Sequence, residues 1–172
     1  MVAWIREIVI AFKVKEKIAE VDRDELWRFA APELAATDEQ VHYAEEQLGF
    51  RLDTEYREFL RKANGWKAFY QDVSILGTPD LVGTENMHRA KALVVALEDL
   101  KPVVGFESSE LLPVAVSETD IDVFLIRIQP HDMPAEVFWF AGRLIERFAS
   151  FSEFFLAMVD YNRQEFDQLA DR

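Results

Sequence analysis

Two aspartates beside a predicted turn, Asp120 and Asp122, are the side chains in this sequence best spaced for acid–base chemistry. In a strand, residues i and i+2 share a face with Cα atoms about 6.6 to 6.8 Å apart, which resembles the ~6.5–9.5 Å carboxyl separation of inverting glycosidases. An acid of that kind needs an apolar pocket to raise its pKa, whereas these residues flank a polar turn. A solvated hairpin tip is the favoured interpretation. A carboxylate hydrolase stays an alternative, for which replacing both residues with asparagine should abolish turnover.

Metal and nucleophile chemistry find less support. The histidines, His42, His88 and His131, lie in three separate segments, and His42 with Glu45 and Glu46 forms at most half of a helical metal site. Metal-binding bundles place Glu, followed three residues later by His, on two helices, and no second copy occurs. Cysteine is absent, which excludes disulfides, thiol nucleophiles and cysteine-bound zinc. The glycines fit no phosphate-binding spacing, so we predict no enzyme, no cofactor and no metal.

The charge balance narrows the class of partner. The 172 residues carry a net charge of -13 with a pI near 4.6, which argues against binding to nucleic acid or anionic lipid and suits a basic protein. The apolar stretch 8–12 is far shorter than the ~20 residues that span a bilayer, and no secretory leader is recognisable. Many soluble domains are simply acidic, so an ordinary soluble domain is the alternative that the charge leaves open. We predict a cytoplasmic protein that binds a protein partner, with no nucleic acid and no membrane.

Acidic residues are concentrated between positions 98 and 122, where there are seven of them against one lysine. These positions fall on predicted loops and a strand edge, where binding surfaces are usually built. Trp66 and Tyr70 are candidate aromatic anchors, although burial of Trp66 beside a helix end is the favoured interpretation. The candidate partner-binding residues are Glu107, Glu110, Glu118, Asp120, Asp122, Trp66 and Tyr70.

Residues 37–66 predict a compact helical hairpin. Thr37 with Gln40 forms a capping box, and Gly49 suits the left-handed position at which a helix ends. Asp53 is a good cap for a second short helix, and the dipeptide at 64–65 ends it because Asn and Gly tolerate positive φ.

This hairpin resembles the signature of the SUKH superfamily, which is named for fungal cell-wall-synthesis regulators and includes many bacterial immunity proteins. Asp53 stands where the family pattern has proline, and a Gly-Asp common in the second half is replaced by residues 119–122. The resemblance covers about residues 37–160 and is strongest in the first third. The matching residues, which are structural in the family, are Glu45, Leu48, Gly49, Leu52, Tyr56, Phe59, Leu60, Asn64, Gly65 and Trp66.

The remaining pattern predicts helices, then a strand meander, then a helix, which is typical of an α+β fold. Residues 3–30 are predicted to be helical with a break near 21–22, and a third helix is predicted from Thr84 to Pro102. Pro113 is expected at a strand start or sheet edge, and 130–134 is expected to be a rigid loop. Strands are predicted at 73–76, 111–116, 121–128, 136–140 and 144–148, and a capping box at 150–153 opens the last helix.

We therefore expect one globular unit: an N-terminal helical extension at 1–36 packed on a SUKH-like domain at 37–172. The domain should hold an antiparallel or mixed sheet of about four to six strands, packed by N-terminal helices and a C-terminal helix. The resemblance implies a non-enzymatic immunity protein that occludes the active site of a cognate toxin, often a nuclease or deaminase. A regulatory scaffold that binds several partners is the alternative that the fungal relatives imply.

Overall fold

The computed structural model describes residues 2–129 and 133–171, so His131 and part of the predicted loop 130–134 lie outside the described residues. The helices are α1 (Trp4–Val21), α2 (Asp38–Leu48), α3 (Thr54–Leu60), α4 (Thr78–Leu81), α5 (Glu85–Val95), α6 (Leu100–Val104) and α7 (Phe151–Ala170). The strands are β1 (Trp66–Tyr70), β2 (Val73–Ile75), β3 (Leu111–Ser117), β4 (Asp122–Arg127), β5 (Val137–Ala141) and β6 (Leu144–Phe148). A single 3₁₀ turn at Ser108–Glu110 precedes β3.

The strands of the described residues form one six-stranded sheet in the order β1-β2-β3-β4-β5-β6. Each strand pairs with the next in antiparallel register, for example Val116 with Val123 and Phe124 with Trp139. The sheet is therefore a simple meander. The predicted α+β class and the upper end of the predicted strand number are confirmed, and the sheet is antiparallel throughout.

Helices cover the centre of this sheet. Strand β3 is buried at every position, and β4 is buried at its four inner positions. Because successive side chains of a strand point to opposite faces, a strand buried throughout is covered on both faces. Helix α5 packs on β3 and β4, while α7 contacts β1, β6, α1 and α3.

An aromatic cluster forms the middle of the core. The Trp4 ring lies 5.5 Å from Phe59 and 5.4 Å from Phe155, both in edge-on geometry, and Phe155 stacks on Phe69 at 4.8 Å. Such pairs add about 0.5–1.5 kcal/mol beyond the burial of their area. One residue each from α1, α3, α7 and β1 meets here, so α1 shares the core of the remaining chain.

Two helical predictions are wrong. Residues 22–36 contain no helix: the Asp22 carboxylate accepts hydrogen bonds from the backbone N–H groups of Leu26 and Trp27, which holds a non-helical turn. The helix predicted from Thr84 to Pro102 is α5, which ends at Val95. Pro102 lies within the short α6 instead of ending a helix. Pro102 is the third residue of α6, where a backbone N–H has no intrahelical acceptor to lose.

Candidate partner-binding surface

The residues of the hairpin signature make structural hydrogen bonds. A Glu45 carboxylate oxygen accepts from the Leu52 N–H at 2.9 Å and lies 3.6 Å from the Arg57 guanidinium. The buried Tyr56 hydroxyl donates to the Leu76 carbonyl oxygen at 2.7 Å. Asn64 accepts from the Thr78 N–H and donates to its hydroxyl. These residues bind the hairpin to the start of α4, and nothing in them is placed to react.

Asp53, which departs from the family pattern, bridges two elements. One carboxylate oxygen caps α3 by accepting from the Tyr56 N–H at 2.9 Å, and the other accepts from the Ala135 N–H at 3.1 Å. Burial raises the pKa of Asp53, and both of these backbone hydrogen bonds oppose that rise. A proline at this position could start the helix but could not hold the loop before β5.

The predicted acidic residues divide into two groups at opposite ends of β3. Glu107 and Glu110 precede the strand, whereas Glu118, Asp120 and Asp122 follow it. Seven residues of strand separate the groups, a length of about 20 Å at 3.3 Å per residue. The structure does not bring the five candidates into one patch.

The first group already has partners within the chain. Glu107 pairs with Lys101, and Glu110 accepts the Glu107 backbone N–H at 2.9 Å, which closes the 3₁₀ turn. The ion pair with Glu107 raises the pKa of Lys101. Since its charge is partly compensated and one carboxylate has a structural role, this group offers less to a partner than its composition predicts.

The second group is joined by Asp72, which lies outside the acidic segment 98–122 of the sequence. Asp72 lies in the turn between β1 and β2 and accepts hydrogen bonds from Ser117 Oγ at 2.7 Å and from the Thr119 hydroxyl at 2.5 Å. Burial raises the pKa of Asp72, but these hydrogen bonds outweigh it and hold the pKa below its usual value. Asp72 is therefore anionic and fixes the β3–β4 turn.

Two arginines also reach this turn. Arg28 pairs with Glu118 at 3.0 Å. Arg89 donates to the backbone carbonyls of Ser117 and Asp120, which leaves the Asp120 carboxylate exposed. The strand face assumed for an acid–base pair does not exist, because β4 begins at Asp122 and Asp120 lies in the preceding bend.

Asp122 connects the acidic turn to three aromatic side chains. It accepts the Trp139 indole N–H at 2.6 Å. Burial raises the pKa of Asp122, the Trp139 hydrogen bond lowers it, and the charges of Asp120 and Asp72 raise it further. The rings of Tyr70, Trp139 and Tyr161 contact one another with centroids 5.7 to 6.3 Å apart.

Two further carboxylates border these rings. The Tyr161 hydroxyl donates to Glu146 at 2.9 Å, and Glu165 accepts from the side chains of Trp27 and Gln71. Burial, together with the charges of Glu165 and Asp122, raises the pKa of Tyr70 to about 12. We call this surface the acidic–aromatic face: Asp72, Glu118, Asp120, Asp122, Glu146 and Glu165 around Tyr70, Trp139 and Tyr161.

The two predicted aromatic anchors differ. Tyr70 is half-buried within the acidic–aromatic face. Trp66 is fully buried and donates its indole N–H to the Ala30 carbonyl at 2.8 Å, so it presents no surface to a partner. Trp139 and Tyr161 were missed because they come from β5 and α7, and neither position is distinctive in the sequence.

The described residues contain no group of three or more His, Asp or Glu side chains arranged to hold a metal ion. Within the same part of the chain, no helix is both long and apolar enough to cross a membrane.

Comparison with known proteins identifies the hairpin and the sheet together. No curated protein matches this chain. The model of the SMI1 / KNR4 family (SUKH-1) matches residues 35–157, which run from just before α2 into α7 and make up more than half of the sequence. The chain therefore belongs to the SMI1 / KNR4 family (SUKH-1).

Proposed function

We propose that this chain is a non-enzymatic immunity protein that neutralises a cognate basic toxin by covering its active site with the acidic–aromatic face. Family membership is consistent with a protein-binding role. The observation that carries the proposal is the grouping of six carboxylates around three half-buried aromatic rings, in a chain of net charge -13.

The charge distribution suits a toxin that acts on nucleic acid or nucleotides. Such an enzyme has a cationic groove for phosphate, and an acidic surface mimics the sign of its substrate. Opposite fields steer two proteins together and raise the association rate by roughly 10- to 1000-fold. Arg28 and Arg89 offset only part of the charge, since Arg89 bonds to backbone carbonyls. The Asp120 carboxylate accepts the Ile121 backbone N–H and stays exposed.

The aromatic rings supply the complementary apolar contact. Tyrosine and tryptophan dominate interface hot spots because they combine a large apolar area with a polar atom. The rings of Tyr70, Trp139 and Tyr161 pack on one another at steep angles and so hold one another in place. They offer apolar atoms for a partner side chain to pack on, beside the Asp122 carboxylate.

The proposal places the protein in the cytoplasm, where a toxin directed at nucleic acid would act. A chain without cysteine needs no oxidising compartment. A long multidomain toxin with a variable C-terminal tip, encoded beside this chain, would supply the natural partner.

Co-expression with that C-terminal toxin domain tests the proposal. The unaltered chain should restore growth and co-purify with the toxin at a ratio of about 1:1, as expected if one copy covers one active site. The double variant Glu118→Lys/Asp120→Lys should lose protection, since both side chains are exposed on the acidic–aromatic face.

The control is Glu107→Lys/Glu110→Lys, which changes the net charge equally at the other end of β3. Because Glu110 also closes the 3₁₀ turn, urea unfolding of this variant checks that it is folded. It should keep protection. If the control abolishes protection and the first variant does not, the toxin binds elsewhere and the acidic–aromatic face is not the interface.

A further inference from the structure

A second surface, of opposite character, lies between α1 and α3. It is a groove of about 840 Å³ with almost entirely apolar walls. Val2, Ile5 and Val9 line it, together with three cationic side chains that we call its rim: Arg6, Arg61 and Lys62. Helix α1 lies outside the family match at 35–157, so most of the residues that line this groove belong to a segment that the family model does not cover.

Helix α1 carries two apolar stripes. Trp4, Ile8 and Ala11 face the core and are buried. Ile5 and Val9 follow one residue later at i and i+4, and they are 65% and 53% exposed. A surface helix normally keeps its outer face polar, so a second aliphatic stripe on the solvent side indicates a contact outside the described structure.

The rim is basic in an acidic molecule. Glu58 is the acidic side chain among the groove residues, against Arg6, Arg61 and Lys62. Arg61 is paired with Asp38 at 2.7 Å, whereas Arg6 lies 3.9 Å from its neighbour Glu7, a weak contact. Three of the four charged residues that line the groove are thus basic, in a chain whose net charge is -13.

We propose that this groove binds an amphipathic helix of a partner protein, with aliphatic anchors on one face and acidic residues on either side of them. The anchors pack on Ile5 and Val9, as in other helix-in-groove complexes. The flanking carboxylates meet Arg6 and Lys62. A second copy of this chain fits less well, because self-pairing of the groove would bring two basic rims and two strongly acidic molecules together.

The proposal is independent of the acidic–aromatic face. The two surfaces attract segments of opposite charge, so one can be disabled without the other. A variant that loses peptide binding but keeps toxin protection would affect the groove and leave the acidic–aromatic face intact.

A designed peptide tests the groove on the full chain. The probe is a fluorescein-labelled, end-capped helical peptide of about 18 residues, five turns long, with leucine at i, i+3, i+4 and i+7 and glutamate at most other positions. A counterpart with lysine for every glutamate controls for charge. Binding is followed by fluorescence anisotropy, and sedimentation velocity reports self-association of the chain.

The glutamate peptide should bind in the groove. The acidic–aromatic face should attract the lysine peptide, so groove binding is the part of each peptide's binding that the Ile5→Ser/Val9→Ser variant removes. That part should be at least about tenfold weaker for the lysine peptide. Ile5→Ser/Val9→Ser should weaken binding of the glutamate peptide by about tenfold or more, since two aliphatic contacts are removed. The matched control, Leu34→Ser/Val95→Ser, also removes two highly exposed aliphatic side chains, which do not line the groove, and should leave affinity unchanged.

Reversing the charge of the rim should change the affinities of the two peptides in opposite directions, which misfolding would not do. Arg6→Glu/Lys62→Glu should weaken the glutamate peptide roughly threefold and strengthen the lysine peptide by a similar factor. Equal groove binding of both peptides, no effect of the Ile5 and Val9 changes on binding of the glutamate peptide, or a dimer that the Ile5→Ser/Val9→Ser variant dissociates would each overturn the proposal.

Discussion

At the scale of single residues, two glycines permit the close approach of the hairpin exit and α4. Gly65 has φ +93°, and a Cβ there would lie 2.8 Å from the Gly77 nitrogen. Gly77 has an ordinary φ of -99°, yet a Cβ there would lie 2.2 Å from the Asn64 carbonyl oxygen. Gly65 is therefore required both by its positive φ and by the lack of room for a Cβ. Gly77 is required only by the lack of room for a Cβ.

Gly77→Ala should accordingly destabilise the protein by about 3 kcal/mol, because the obstacle is backbone that cannot swing aside. Gly49→Ala is the matched comparison: its φ is +79° but nothing lies within 4 Å of the added carbon, so only the left-handed conformation is penalised, at about 1 kcal/mol. Urea unfolding of both variants measures the two costs. Equal decreases in the free energy of unfolding would mean that the backbone at residues 64 and 77 moves apart easily to accommodate the added carbon.

Residues with local roles were the ones predictable from sequence. Thr37, Gly49 and Asp53 each act on amides or dihedrals within a few positions, and the structure confirms all three. Asp72 makes its hydrogen bonds to residues 45 or more positions away, and Trp139 makes its hydrogen bond to a residue 17 positions away. Spacing along the chain carries no signal for such contacts, so five of the nine residues of the acidic–aromatic face were missed.

At the scale of elements, strand β1 was missed for a physical reason. Ala68 has φ +48°, and the pairing with β2 shifts between Trp66 and Tyr70. The irregularity leaves Ala68 and Phe69 both buried, which removes the alternation that a strand prediction depends on. Strands β4 to β6 pair with their neighbours from a few residues away and were predicted within about two residues.

The contact between α1 and α7 contains a buried amine that should make stability depend on pH. Burial lowers the pKa of Lys15 to about 8, against the opposing charges of Glu165 and Asp22. In the unfolded chain the amine stays protonated up to about pH 10.4. Between these values the unfolded state binds more protons, so the free energy of unfolding should rise with pH, by about 3 kcal/mol in total.

Chemical unfolding between about pH 7 and pH 10 measures this rise, and Lys15→Met is the control because it removes the titrating group while keeping the apolar stem. The variant should be at least as stable at neutral pH and show no rise across the window. Above about pH 10 the trend should reverse in both proteins, since the raised pKa of Tyr70, about 12, favours ionisation in the unfolded chain. An unaltered slope in the methionine variant would assign the rise to another group.

At the scale of the whole molecule, the sequence shows how much charge there is and the fold decides where it acts. Glu107 and Asp122 were predicted to share a surface because they lie close together in the sequence. In the structure, the full length of β3 separates them. The fold instead places Glu146 and Glu165, from β6 and α7, beside Asp122 and Tyr70. Sheet order and helix placement, which no local pattern encodes, determine this grouping.

If that grouping is the interface, its charge should appear in the association rate. For the unaltered chain and its toxin, the association rate constant should fall steeply as salt rises, while the dissociation rate constant changes little. Glu118→Lys/Asp120→Lys should slow association at low salt by about tenfold or more and flatten the salt dependence. Stopped-flow fluorescence across a series of salt concentrations measures both constants.

Tyr161→Ala should have the opposite signature. It removes a ring that packs on Trp139 and Tyr70 and the hydroxyl that donates to Glu146, but it removes no negative charge. The salt slope should therefore persist while dissociation accelerates, as for a central hot spot. A variant that changed both constants by similar factors would indicate a distorted fold, which the unfolding free energy would reveal. Separate effects on the two constants would establish that the carboxylates govern encounter and the rings govern retention, because long-range charge acts before contact and apolar packing only after it.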